Sequence, residues 1–405
     1  MGPLQGTRIL DMTSVLMGPY ATQLLGDMGA DVIKVEAPDG DIVRQIGPMR
    51  HPDMGGMFLH VNRSKRSIVM DLKDPAGREA LLRLAKTCDV LVYNVRPQAM
   101  ERLDLSYEVV LEANPRIIYA GVFGYGQGGP YAALPAYDDL IQGAAAIPSI
   151  IAEAGDGTPR YIPLTVADRV VGLHALSAIL AALLHRQRTG EGQRIDIPMF
   201  ETIAGFVLGD HMGGLTYDPP MDEGGYARLL SRHRRPYRTS DGYICALIYN
   251  DKQWRRFFEA IGQREAINDP RFTTHTSRTA HIDEIYSEVS EIFLTRSTAD
   301  WEKLLADADI PVMPLHTLRS ILSDPHLVAT DFFKVVDHPT EGKIRSMRVP
   351  SQWSRSQPEP VRQAPQLGEH TIEILKEAAL SDSEIETLLE CKTVRSSKPN
   401  SMPEI

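Results

Sequence analysis

Asp168 stands at the head of TVADRVVGLHALSAILAALLHRQRTGEGQ, residues 165–193. A carboxylate at a helix start ordinarily caps the helix by accepting backbone N–H groups. Fixed in the same way, it could also serve as a nucleophile or general base, so the residue alone leaves both roles open. A second candidate is GYGQGG, in which Gly124, Gly126 and Gly129 match G-x-G-x-x-G behind an apolar run. Pro130 follows, and the next helix is expected only near Tyr137. A pyrophosphate would therefore find no helix N-terminus there, and the run reads as a glycine loop. Such a loop can still offer backbone N–H groups to an oxyanion.

Basic residues are the other candidates. Asn94 and Arg96 in NVRP follow an apolar run, at the position where open α/β sheets bind ligands. Arg228, Arg232, Arg234, Arg235 and Arg238 crowd into RLLSRHRRPYR, which reads either as an anion trap or as a solvated linker. NRSKRS at 62–67 reads as a solvated turn, and Glu36, ending DVIKVE, as a surface acid at a strand end. The twelve histidines form no metal-ligand pattern, so no metal is expected. No G-x-S-x-G elbow and no phosphate-binding G-x-x-x-x-G-K-[ST] loop occurs.

These residues need elements to hold them. Through the first 125 residues short apolar runs (TRILDMT, DVIKVEA, RSIVMDL, DVLVYNV, RIIYAGVFG) alternate with helical stretches. That alternation predicts an open, largely parallel sheet with helices on both faces. The helix over 168–187 is apolar around its whole circumference, which predicts burial. QRIDIPMF predicts another strand, and a helix is expected over about 200–215. Composition then turns rich in Gly, Pro and Arg, the mark of a linker into a second domain. We expect a large domain over 1–215, a small α+β domain with its linkers over 216–328, and a return to the large domain over 329–405. The final SSKPNSMPEI is expected to fray.

With 405 residues, 43% hydrophobic and 24% charged, the chain reads as globular. A net charge of −10 argues against nucleic acid as a partner. Cys88, Cys245 and Cys391 are odd in number and far apart, which reads as reduced thiols in a cytoplasmic setting. No signal peptide is expected, and no uninterrupted apolar run of membrane-spanning length occurs, so neither is a membrane partner expected.

Taken in order, ILDMTSVLMGPYATQLLGDMGADVIKVE, NRSKRSIVMDLK, DVLVYNVRP, NPRIIYAGVFGYGQGGPY, YDDLIQ, ILAALLHRQRTGEGQRIDI and APQLGEHT resemble the class III CoA-transferases. This CaiB/BaiF family includes carnitine and formyl-CoA transferases and the alpha-methylacyl-CoA racemases. The resemblance implies a Rossmann-like large domain of N- and C-terminal segments in an interlocked, ring-like homodimer. It implies that Asp168 is the catalytic carboxylate, forming a mixed anhydride while CoA passes from an acyl-CoA, for instance succinyl-CoA, to a small carboxylic acid. Coenzyme A would be a substrate, with no tightly bound cofactor. Its contacts would fall at Leu16 and Met17, at Met70, Asp71, Leu72 and Lys73, at Asn94, Val95 and Arg96, at Arg102, and at Pro135, Ala136, Tyr137 and Asp138.

The departures bear on specificity. Val95 replaces the aromatic of the family's acid-Asn-Phe-Arg-Pro-Gly run, and Ala37 stands where formyl-CoA transferases carry an Arg. Tyr137 stands where racemases carry a His. A racemase or epimerase acting at the alpha carbon, the alternative within this resemblance, would thereby lose one acid–base partner.

Overall fold

A computed structural model describes residues 2–397 of the chain. Six parallel strands form the central sheet: β1 (Arg8–Met12), β2 (Asp31–Glu36), β3 (Lys65–Met70), β4 (Val90–Tyr93), β5 (Ile118–Phe123) and β6 (Arg194–Pro198). Their order is β3-β2-β1-β4-β5-β6, and the short strand Val394–Arg395 pairs antiparallel with the outer edge of β3. The chain thus runs outward from β1 in one direction and from β4 in the other, the doubly wound arrangement whose order reverses between these strands. Leu10, Ile33, Ile68, Leu91 and Val122 are all wholly buried. Helices cover both faces of such a sheet, which is why its strands read as apolar runs rather than as alternating patterns.

The division of the chain differs from the expected one. One compact unit runs to Ala144, resumes over Leu164–Ala204, and takes in everything from His326 on. The other comprises Ala145–Pro163 and Gly205–Pro325. The excursion 145–163 leaves the large unit because the helix Ile147–Glu153 packs against Ala227–Leu230. The second unit holds a three-stranded antiparallel sheet, Tyr237–Arg238, Tyr243–Ala246 and Val312–Pro314, over an aromatic core of Trp254, Phe257, Phe258, Phe293 and Trp301. Within the first unit, Phe333–His338 and Gly342–Met347 make the expected antiparallel hairpin. Asp74 caps the helix Pro75–Ala85, and Ser381 with Glu384 closes a capping box on Asp382–Glu390. The expected fraying of the last ten residues falls mostly at 398–405, outside the described residues.

Two polar readings are overturned. Every residue of NRSKRS is buried. Lys65 Nζ lies 2.9 Å from Asp11 Oδ2, Arg63 2.8 Å from Asp27, and Arg66 2.5 Å from Asp31. Glu36 is no surface acid: Arg44 donates to both its oxygens at 2.7 Å, and the Ser67 hydroxyl donates to it at 2.7 Å. Burial opposes the charge on Asp11, but Lys65 and Lys34 overcome it and hold the carboxyl at about 2. Burial pushes Lys65 down to about 8, with Asp11 opposing. Of these pairs, Lys65–Asp11, Arg63–Asp27 and Arg44–Glu36 are desolvated but paired, the condition under which a buried charge is tolerated.

The long apolar helix, Val166–Thr189, is only half covered. Ala167, Val171, Ala175, Ile179 and Ala182 face inward, while Leu173 and Leu184 are 49% and 47% exposed. Its length and composition would also permit a membrane span, but in this fold it packs along the helix Met17–Asp27.

Candidate active site

The reversal in strand order opens a crevice beyond the carboxyl ends of β1 and β4. Asn94, just past β4, bridges it: its amide oxygen accepts the Ser14 N–H at 2.9 Å and its amide nitrogen donates to the Ser14 carbonyl at 2.7 Å. Beside Ser14, Val15 holds φ at 68°, costly for a β-branched residue. Its N–H donates to Asp41 Oδ1 at 3.1 Å, and the other oxygen of Asp41 takes the Lys34 ammonium at 2.8 Å. The turn after β1 is therefore set by groups from β2, β4 and the loop that follows β2.

A cavity of about 440 Å³ opens at these strand ends, within the usual range for small-molecule sites. Met70 at the end of β3, Asp71, Leu72 and Lys73 just beyond it, and Val95 just beyond β4 line it. Met100 and Leu103 complete its apolar side, and Ala37 lines it together with Lys34, Glu36 and Asp41. Asp71 shapes the turn: its N–H donates to the Thr393 carbonyl and its carboxylate accepts the Lys73 N–H. Lys73 itself is exposed and makes no ion pair among the described residues.

Asp168 sits at the third position of its helix, whose N-cap is Thr165. It does not cap. Asp138, at the start of the helix Asp138–Ala144, accepts the Asp168 N–H at 2.9 Å with Oδ1 and the Gln142 amide at 2.6 Å with Oδ2. Asp138 thus takes over the task expected of Asp168, whose half-buried carboxylate accepts no hydrogen bond among the described residues. Burial pushes the Asp168 carboxyl up to about 7; the neighbouring Asp138 adds to the rise, and Arg169 opposes it. A carboxylate that is more basic than usual and free of donors is a stronger nucleophile than one in water. Arg169 is turned onto the Tyr20 ring, its guanidinium carbon 4.5 Å from the centroid.

The remaining expected site residues fall unevenly. Leu16 and Met17 are buried, Leu16 against Val43, Phe58 and Val61. The Met17 carbonyl lies 2.9 Å from where a Cβ on Gly172 would stand, so the glycine lets the two helices approach closely. Arg96 donates to the Ala133 carbonyl at 2.9 Å, and Arg102 ends the helix Pro97–Arg102 that supplies Met100 to the cavity. Neither arginine lines the cavity itself. Pro135, Ala136 and Tyr137 lead into Asp138, and Ala136 leaves no room for a side chain at Gly124, whose Cβ would come within 2.3 Å of it. The glycine loop is also partly spoken for, because Glu201 accepts the Gly126 N–H at 2.9 Å. Ser14, Lys34 and Asp41 are not singled out by the sequence; Ser14 lies two residues past β1, Lys34 within β2 and Asp41 in the loop that follows β2.

A model of the family described as CoA-transferase family III matches residues 4–371. A succinate–glutarate CoA-transferase of Agrobacterium fabrum is 34% identical over 386 residues, covering 93% of this chain and 95% of its own. A formyl-CoA:oxalate CoA-transferase of Escherichia coli is 31% identical over 408 residues, covering 95% of this chain and 97% of its own. Among solved structures, a CAIB/BAIF family protein from Brucella suis superposes with a TM-score of 0.79 at 31% identity, covering 93% of this chain and 99% of that one.

Proposed function

The chain belongs to CoA-transferase family III, and from that membership we propose that Asp168 is the carboxylate through which it moves CoA from an acyl-CoA thioester to a carboxylic acid. The observation that carries this reading is the state of Asp168: half-buried, without a hydrogen-bond donor among the described residues, and pushed up to about 7. An Asp168 oxygen attacks the thioester carbonyl, the C–S bond breaks, and the CoA thiolate leaves behind a mixed anhydride. The thiolate then attacks the aspartyl carbonyl, releasing the donor acid and leaving CoA as a thioester on Asp168. The acceptor carboxylate retraces both steps, displacing the thiolate to form an anhydride and receiving CoA as the thiolate attacks its own acyl carbon. Asp168 ends as it began, and no water is consumed.

The cavity beyond β3 and β4 is our site for coenzyme A, held as a substrate rather than as a resident cofactor. Its apolar side suits the pantetheine arm, and the exposed ammonium of Lys73 suits a phosphate. Short dicarboxylates, with succinyl-CoA as donor, are the acids we propose, on the strength of the succinate–glutarate relative. Tyr137, 68% exposed, puts a phenol where the racemases carry an imidazole, so the transferase reading is favoured over the racemase. The exposed face of Val166–Thr189, with Leu173 and Leu184, supports a homodimer in which a second copy covers it; the interlocked ring is the arrangement the family resemblance implies. Three free cysteines support a cytoplasmic setting.

The test is Asp168→Ala. The variant should lose CoA exchange between isotopically labelled acids by at least about a thousandfold, while hydroxylamine should trap the wild-type enzyme at Asp168 during turnover. Near-normal exchange by the variant would overturn the mechanism. Solvent deuterium entering the alpha carbon without any acceptor acid would replace it with the racemase.

A further inference from the structure

The arginine-rich run 228–238 has no part in the reaction above, yet it borders a cavity of about 440 Å³ in the second unit. Arg228, Arg234 and Arg235 supply its charge, and no Asp or Glu among the described residues lines it. Arg228 is held in place: its Nε donates to the Tyr286 hydroxyl at 3.0 Å, and its guanidinium carbon lies 5.4 Å from the Tyr249 ring centroid. Arg234 and Arg235 form no ion pair among the described residues. In a chain of net charge −10, three uncompensated guanidinium groups at one cavity are a local reversal of the field.

The wall facing them is apolar. Cys245 and Met313 are register partners on adjacent strands of the three-stranded sheet, and Leu247 also lines the cavity, while the next pair, Ala246 and Val312, packs against the aromatic core. A bare phosphate would satisfy the arginines but leave this wall wet. An uncharged hydrocarbon would cover the wall but leave the cations without a partner. We propose that this cavity is a binding site for an amphipathic carboxylate, its head group paired with Arg234 and Arg235 and its hydrocarbon body laid along Cys245, Met313 and Leu247. Guanidinium forks match a carboxylate edge, and the apolar body removes the sheet surface from water. The inference does not depend on the role of Asp168.

Octanoate, acetate, inorganic phosphate and octylamine, titrated calorimetrically into the full chain, test the proposal. Octanoate should bind at least tenfold more tightly than each of the other three. The double variant Arg234→Gln/Arg235→Gln should weaken it at least tenfold, and so should Met313→Glu, which places an acid on an exposed position of the wall. Both variants should keep the wild-type melting temperature. Octanoate should also slow alkylation of Cys245, read by peptide mass against Cys391 as an internal reference. Phosphate binding as tightly as octanoate, octanoate binding unchanged in both variants, or unprotected Cys245 at saturating octanoate would each overturn the proposal.

Discussion

Asp138 accepts the backbone N–H of Asp168 at 2.9 Å, so one carboxylate orients the residue that carries the other and also raises its affinity for a proton. If Asp168 reacts as an anion, exchange should fall as pH drops through about 7. Asp138→Asn retains an oxygen for the N–H but removes the neighbouring charge. The acid limb of kcat/KM should then move down by about one pH unit, read from a full pH profile. A limb that stays in place would remove Asp138 as its cause.

The same environment has a thermodynamic sign. Asp168 binds its proton more tightly when folded, at about 7 against an ordinary 3.8. Its contribution therefore favours the folded state at low pH and is lost as pH rises through 7. Asp168→Asn should melt about 2 °C above wild type at pH 8, and the two melting curves should converge near pH 4. Calorimetric scans at both pH values check this.

Asn94 closes the crevice through two hydrogen bonds to one residue. Asn94→Ala leaves both Ser14 backbone groups without that partner and should cost about 1–3 kcal/mol, measured by urea unfolding. Because Val15 depends on the same turn for its positive φ, KM for the acyl-CoA should rise more than kcat falls.

Leu173 lies on the uncovered face of the long helix, 49% exposed. Leu173→Arg should weaken self-association, so that the mass from light scattering drops from a dimer toward a single chain at micromolar concentration. A wild-type protein that already scatters as one chain would sink the homodimer.

Local patterns were legible where the chain's neighbours decide the outcome. The strands of the sheet, the hairpin after 332 and the caps at Asp74 and Ser381 could all be read from runs of a few residues. The polar interior could not. Asp11, Asp27 and Asp31 lie 35 to 54 residues away in sequence from the basic residues they neutralise, so NRSKRS read alone looks solvated. Asp168 presents the same difficulty: its cap comes from Asp138, 30 residues earlier, and an aspartate at a helix start gives no sign that it has been relieved of that task. The helix around it reads as buried because composition cannot say whether an apolar face meets the chain's own core or another surface.

The strand Val394–Arg395 has a consequence for biosynthesis. Paired to Met70 and Val69, it completes the border of β3, and Thr393 holds the Asp71 turn that lines the cavity. On the ribosome, a nascent chain must wait more than three hundred residues between making β3 and making the piece that covers its rim. Throughout that interval the border of β3 is unpaired, so trimming of residues 393–395 should lower the yield of folded protein as well as the rate of the reaction.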